Sequence, residues 1–203
     1  SAGHKLGKNL KKRVEQARGD FLELLQAKSH YKFIFTSSAT ESNNTAIKGI
    51  GLKKGEKVYC HLGDHPSLIR PLEACGVTLL PIPILKGGDI DLVSLLQDFD
   101  HEAKALVLAH VNNQTGNEHK VLDLSEKIKK HSPNIHIHID AVQSFGKLQI
   151  NLNKNVIDTL SISSHKVGGP KGAGGLYVSN QAKCCPLLDG GGQCEGIRSS
   201  TMA

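Results

Sequence analysis

Apolar positions along the chain change period several times, and the changes mark out alternating helices and strands. Leu6, Leu10, Val14, Ala17, Phe21, Leu24 and Leu25 recur at steps of three and four residues with charged positions between them. That spacing predicts an amphipathic helix. Lys32–Phe35 reads as a short strand, followed by a Thr/Ser-rich turn and a helix over Glu41–Ile50 closed by Gly49 and Gly51. Strands are predicted at Val58–His61 and Val77–Pro81. The helix between them opens near Pro66, a residue suited to a first turn, and ends at Cys75–Gly76. Gly87, Gly88 and Asp89 make a turn ahead of a short helix over Asp91–Leu96. Ala105–Ala109 is nearly all apolar, the pattern of a strand buried on both faces. Val121–Lys130 reads as a helix stopped by Pro133, and strands at Ile135–Ile139, Thr159–Ile162 and Gly175–Val178 complete the series. The alternation predicts an α/β fold, a mostly parallel sheet flanked by helices, in one domain over residues 1–203.

Composition narrows the setting. Of 203 residues, 38% are hydrophobic and 22% charged, the balance of a folded globule. Aromatics are only 4% and Trp is absent, so aliphatic side chains are expected to fill the core. No apolar run is long enough to span a bilayer, and the first residues, SAGHKLGKNLKKR, contain no hydrophobic leader. The formal charge of +6 would suit an anionic partner, including a phosphorylated ligand. The lysines are scattered, however, and no nucleic-acid-binding signature accompanies them. Five cysteines at irregular spacing point to a reducing compartment rather than a disulfide framework. The expectation is a cytoplasmic protein with neither a membrane nor a nucleic-acid partner.

Polar residues that can do chemistry gather just after the strands, where open α/β sheets place their ligand sites. Ser38, Ala39 and Thr40 open a helix, and free N–H groups with a hydroxyl there suit a phosphate, although taken alone a plain N-cap is the commoner explanation. Asp64, His65 and Pro66 follow the second strand; His65 could lie against a flat ligand, or Asp64 could simply cap a helix beside a surface histidine. Asn112, Asn113 and Gln114 are costly to bury unless paired, and Asn113 could bond a ligand oxygen. Asp140 ends the strand IHIHID, with Gln143 three residues on. A carboxylate there needs a cation, and a protonated pyridine nitrogen would serve. His136 and His138 share a strand face with Asp140, which leaves a His-x-His metal site open beside the simpler reading of mutually satisfied core histidines. Ser163, Ser164, His165 and Lys166 precede the turn of Gly168, Gly169 and Pro170, and an amine so placed can become a Schiff-base nucleophile. Together these groups match what pyridoxal phosphate requires: an amine, an anion for the ring nitrogen, a phosphate cup, donors near the phenolate and a flat ring partner.

The stretches FTSSATESNN (35–44), DHPS (64–67), HVNNQTG (110–116), HIDAVQSFGK (138–147), SSHKVGGPKGAGGLYV (163–178) and GGGQCEGIRSST (190–201) resemble the class V aminotransferase family, more narrowly its NifS-like cysteine desulfurases. The resemblance implies the large domain of a fold type I pyridoxal-5'-phosphate enzyme. In it Lys166 would hold the cofactor covalently, Asp140 would pair with the pyridinium, and His65 would stack on the ring and take part in catalysis. Gln143 and Asn113 would face the phenolate oxygen, and Ala39, Thr40, Ser163 and His165 would form the phosphate site, joined by Thr201 across a homodimer. The implied reaction converts L-cysteine to alanine, with sulfur carried as a persulfide to an acceptor protein for iron–sulfur clusters or thio-cofactors. A selenocysteine lyase, another class V aminotransferase or lyase, and a non-catalytic interaction module keeping the fold are the alternatives.

The chain departs from the family pattern in places. Gln114 stands where the family has Glu, Ser200 where it has Gly, and Cys194 where it has Glu. Family members also have a segment before the point where this chain starts and a C-terminal small domain after residue 203. That small domain carries the persulfide cysteine and an arginine for the substrate carboxylate. The expectation is therefore a cofactor-binding large domain, inactive alone as a desulfurase.

Overall fold

A computed structural model describes residues 5–191 and 196–199. Seven strands form one sheet: β1 (Tyr31–Thr36), β2 (Lys57–Cys60), β3 (Thr78–Pro81), β4 (Ala105–Ala109), β5 (His136–Asp140), β6 (Thr159–Ser163) and β7 (Gly174–Ser179). Their order is β1-β7-β6-β5-β4-β2-β3. β2 pairs in parallel with β3 and β4, and the parallel run continues through β5 to β6. β7 runs antiparallel to both β6 and β1. β1 to β6 thus point one way, and their carboxyl ends share one edge of the sheet.

The helices are α1 (Lys5–Leu24), α2 (Ala39–Gly49), α3 (Pro66–Ala74), α4 (Leu92–Gln97) and α5 (Val121–His131). The strands β4, β5, β6 and β7 are buried at every position, so helices and loops cover both faces of the central sheet. One core gathers Leu106, Leu108, Ile137, Ile139 and Leu160 with α5, and another packs Ile47 of α2 and Leu68 and Leu72 of α3 against Val58 and Val107.

One expectation is met and another changes on this frame. The core is mainly aliphatic, with an aromatic group packed on it: Phe21 stacks on Phe33 at 4.4 Å between ring centroids, and Phe35, Phe145 and Tyr177 complete the group. Few aromatics suffice because they converge from α1, β1, β7 and the loop after β5. The apolar stripe of α1 stays largely uncovered, with Leu6 and Leu10 exposed and no residue of the helix fully buried. Only its last turns reach the sheet, where Phe21 and Leu22 pack on the core and the Arg18 guanidinium donates to the carbonyl of Phe33.

The glycines of KGAGGLYV have a packing reason. A Cβ on Gly174 would stand 2.7 Å from the Ser38 carbonyl carbon and 2.8 Å from Thr36 Oγ1. The turn from β1 into α2 therefore passes directly over β7, and a side chain there would push the α2 N-terminus out of place.

Candidate active site

The carboxyl edge of the sheet carries a cavity of about 330 Å³. Adjacent strands form its floor: Ala109, the last residue of β4, pairs in register with Asp140, the last of β5. Ala109 and Asp140 both line the cavity. Its walls come from Ala39 and Thr40 at the start of α2, His65 and Ser67 at the start of α3, Asn113 after β4, Gln143 after β5, and His165 and Lys166 after β6. Residues far apart in sequence meet here because every co-directional strand delivers its following loop to the same edge.

Each wall has a local cause. Ser38 is the N-cap of α2, its hydroxyl accepting the Glu41 N–H at 3.2 Å. The amides of Ala39 and Thr40 belong to the first turn, which has no intrahelical acceptors, so this end of α2 offers donors to an anion. At α3 the cap is His65 rather than Asp64: Nδ1 of His65 accepts the Ser67 N–H at 3.1 Å. Asp64 instead turns inward, accepting from Ala109 N at 2.8 Å, Asn112 Nδ2 at 3.0 Å and His61 Nδ1 at 3.1 Å. That bond lifts the His61 pKa above its ordinary value.

The run of amides divides into two jobs. Asn112 is buried and fully paired, donating to Asp64 and Gly63 while its Oδ1 accepts the N–H groups of Gln114 and Thr115. Asn113 is exposed and faces the cavity. After β6 the chain makes a single 3-10 turn over Ser164–Val167, ended by Gly168 at φ 80°. That left-handed stop suits glycine and leaves Lys166 exposed at the cavity.

Among the described residues Asp140 is the one acidic side chain lining the cavity, and it is buried. Desolvation raises its pKa even though Val142 N–H and Asn43 Nδ2 both donate to it at 2.8 Å. Among the described residues no lysine or arginine is ion-paired with it, so the carboxylate is suited to a cation arriving in the cavity.

Of the residues singled out in the sequence, Lys166, His65, Ala39, Thr40, Asn113, Asp140, Gln143 and His165 line this one cavity. Ser163 sits beside it: its hydroxyl is buried and bonds His165 Nδ1 at 2.9 Å. Thr201, like Cys194 and Ser200, lies outside the described residues. The lining and supporting residues that the sequence did not single out include Asn43 and Ser67, which bond each other at 2.8 Å. Asn43 had a visible signal, since it falls three and four residues before Ala46 and Ile47 on the buried stripe of α2.

His136 and His138 do not bond each other, nor do they sit in a metal cluster: the described residues contain no group of three or more His, Cys, Asp or Glu that could hold an ion. Both rings bond the Thr159 hydroxyl on neighbouring β6, at 3.1 and 2.9 Å. No helix among the described residues is long and apolar enough to cross a membrane.

A seven-stranded sheet with one reversed strand, and a cavity at its carboxyl edge furnished with a lysine, a buried aspartate and a helix N-terminus, defines an α/β enzyme domain. Over residues 1–202 the chain matches the family described as Aminotransferase class-V. It is 38% identical over 210 residues to the cysteine desulfurase IscS of Buchnera aphidicola subsp. Acyrthosiphon pisum (strain 5A), covering 100% of this chain and 51% of that protein. To the cysteine desulfurase IscS of Rickettsia bellii (strain OSU 85-389) it is 37% identical over 210 residues, covering 100% and 50%. A solved NifS-like protein superposes with a TM-score of 0.90 at 29% identity, over 98% of this chain and 56% of that one. SspA in complex with cysteine superposes with a TM-score of 0.88 at 32% identity, over 100% and 60%. This chain spans about half the length of the curated relatives it matches. It belongs to the class V aminotransferase family. Enzymes of that family in general depend on pyridoxal phosphate.

Proposed function

We propose that the chain is the pyridoxal-phosphate-binding half of a cysteine desulfurase. The observation that carries the reading is the buried Asp140 carboxylate, without a cationic partner among the described residues, in the cavity that also holds the exposed amine of Lys166. Desolvation penalises that carboxylate, and a protonated ring nitrogen is the kind of partner that removes the penalty. The donor set fits the rest of the cofactor: first-turn amides of Ala39 and Thr40, the Thr40 hydroxyl and His165 for a phosphate, amides of Asn113 and Gln143 for a phenolate oxygen, and the His65 ring for a flat face. Ser163 would act by holding His165.

When bound, pyridoxal phosphate supplies an electron sink for bonds at an amino acid's α-carbon. The chain's own part is to bind, orient and move protons. Lys166 would hold the cofactor and move protons to and from the substrate amine, Asp140 would keep the ring nitrogen protonated, and His65 would orient the ring. L-Cysteine as substrate is supported by the relatives named cysteine desulfurase and by the SspA structure with cysteine. Among the described residues no thiol lines the cavity, and burial pushes the Cys60 and Cys184 thiols up to about 12. A thiol that accepts sulfur would therefore come from outside these residues, and the assembled enzyme would act as a homodimer with a sulfur-acceptor partner.

The test is intact mass after incubation with pyridoxal phosphate and borohydride reduction. One pyridoxyl adduct mapped to Lys166, and absent in Lys166→Ala, is the expected result. Adducts spread over surface lysines, unchanged in that variant, would overturn the cofactor reading.

A further inference from the structure

A chain of buried hydrogen bonds runs from the start of β5 to the cavity. His136 Nε2 and His138 Nδ1 meet the Thr159 hydroxyl, and His138 Nε2 meets Asn43 Oδ1 at 3.1 Å. Asn43 Nδ2 reaches Asp140 Oδ2 and Ser67 Oγ, both at 2.8 Å, and Ser67 Oγ reaches His65 Nδ1 at 2.8 Å. Asn43, His138 and Thr159 have no exposed surface. Water therefore cannot replace a lost partner, and an unpaired group would carry its full desolvation penalty.

Counting protons gives the chain a single direction. An ionised Asp140 only accepts, so the Asn43 amide nitrogen must face it. That leaves Asn43 Oδ1 toward His138, whose Nε2 must then carry a hydrogen. Burial keeps His138 neutral, with its pKa lowered to about 3, so its Nδ1 is bare and accepts from the Thr159 hydroxyl. The Thr159 oxygen in turn accepts from His136 Nε2–H. At the other branch, His65 Nδ1 already accepts the Ser67 N–H, so the Ser67 hydroxyl donates to it while accepting from Asn43. Every proton has one place. The opposite tautomer of His138 would set two acceptors face to face, or would flip the amide and aim its oxygen at the Asp140 carboxylate.

We propose that His138, held in its Nε2–H tautomer by Thr159, is a positioning residue: it orients the Asn43 amide that donates to Asp140 and, through Ser67, fixes the ring of His65. The proposal deepens the cofactor reading above and rests on it only for its consequence in binding. His138 does not line the cavity; it acts through Asn43.

Long-range proton–nitrogen correlation spectra of the histidine-labelled 203-residue chain, with no cofactor added, read the tautomers directly. His136 and His138 are expected to carry their protons on Nε2 at pH 7 in the native sequence and in Thr159→Ser. Thr159→Val removes the donor to Nδ1, and His138 is expected to shift toward the Nδ1–H form. The dissociation constant for pyridoxal phosphate should rise about tenfold or more in Thr159→Val and stay within about threefold in Thr159→Ser. If Thr159→Val does not fold, the native spectrum alone decides. A His138 protonated on Nδ1 or on both nitrogens overturns the proposal, as does a folded Thr159→Val that binds pyridoxal phosphate like the native chain. A native chain that shows the expected tautomers and takes up no pyridoxal phosphate upholds the network and sinks the cofactor reading instead.

Discussion

The carboxylate of Asp64, with no exposed side-chain surface, accepts the backbone N–H of Ala109 at 2.8 Å. This bond ties the loop after β2 to the last residue of β4. It fixes where His65 and the start of α3 stand relative to the cavity floor. The same carboxylate holds Asn112, which in turn shapes the loop that presents Asn113.

Removing that carboxylate should therefore disturb stability and site together. Asp64→Ala leaves the Ala109 N–H and one Asn112 donor buried without partners, an expected cost of about 2–3 kcal/mol. Urea unfolding measures it. His61→Gln, which removes one partly buried partner and leaves Asp64 its bonds from Ala109 and Asn112, should cost less than Asp64→Ala. Equal costs for the two would show that Asp64 matters only through His61.

Asp140→Asn separates function from stability. Burial already penalises the charged carboxylate, so removing the charge offsets much of the lost hydrogen bonding from Asn43 and Val142. Stability should stay within about 1 kcal/mol of the native chain. Pyridoxal phosphate affinity, followed by the visible band of the bound form, should fall at least about tenfold. An affinity that does not change would remove the ring-nitrogen role from this residue.

Acid should weaken the fold before the carboxylates titrate. Burial lowers the pKa of His136 to about 4 and of His138 to about 3, whereas an unfolded histidine sits near 6.5. Their neutral forms stabilise fully above about pH 6.5, and that stability is lost as the pH falls and the unfolded chain takes up protons. The expected loss between pH 7 and pH 5 is on the order of 3 kcal/mol. His61 opposes it: the Asp64 bond raises its pKa, so its contribution is present below about pH 6.5 and disappears as pH rises through the folded value. His61→Gln should steepen the acid decline. Urea midpoints that stay level from pH 7 to pH 5 would contradict the buried neutral histidines.

Arg198 bonds Glu41 through Nε at 2.5 Å, tying the loop past residue 196 to the N-terminus of α2. Glu41 is partly desolvated, which alone would raise its pKa, but bonds from Arg198 and Ser37 outweigh burial and lower it. Its contribution is present above the ordinary carboxylate range and is lost as the pH falls through the lowered value. Arg198→Ala should cost about 0.5–1 kcal/mol at pH 7 and converge with the native chain once the pH has fallen below the lowered Glu41 value. Thermal unfolding at pH 7 and in that acid range checks this; a difference that persists in acid would mean that Arg198 acts by packing.

Much of this protein is legible without coordinates, and the reason is local. Ala105–Ala109 announces a buried strand because every position in it is buried, and Val121–His131 announces a helix because one of its faces is. Burial at such spacings is recorded residue by residue, so the elements and the polar loops after them can be read directly, and family motifs add the expected roles of Lys166, His65 and Asp140. Partnership between distant residues is recorded nowhere locally. That His65 rather than Asp64 caps α3, that Asp64 holds Ala109, and that Asn43 stands between His138 and Asp140 depend on which loops converge at one edge of the sheet. The sequence alone determined the alternating elements and the residue types available for chemistry. The tertiary structure decided which of those residues share a cavity and which hydrogen bonds hold them, because a buried polar group takes whatever partner the packed chain brings within 3 Å.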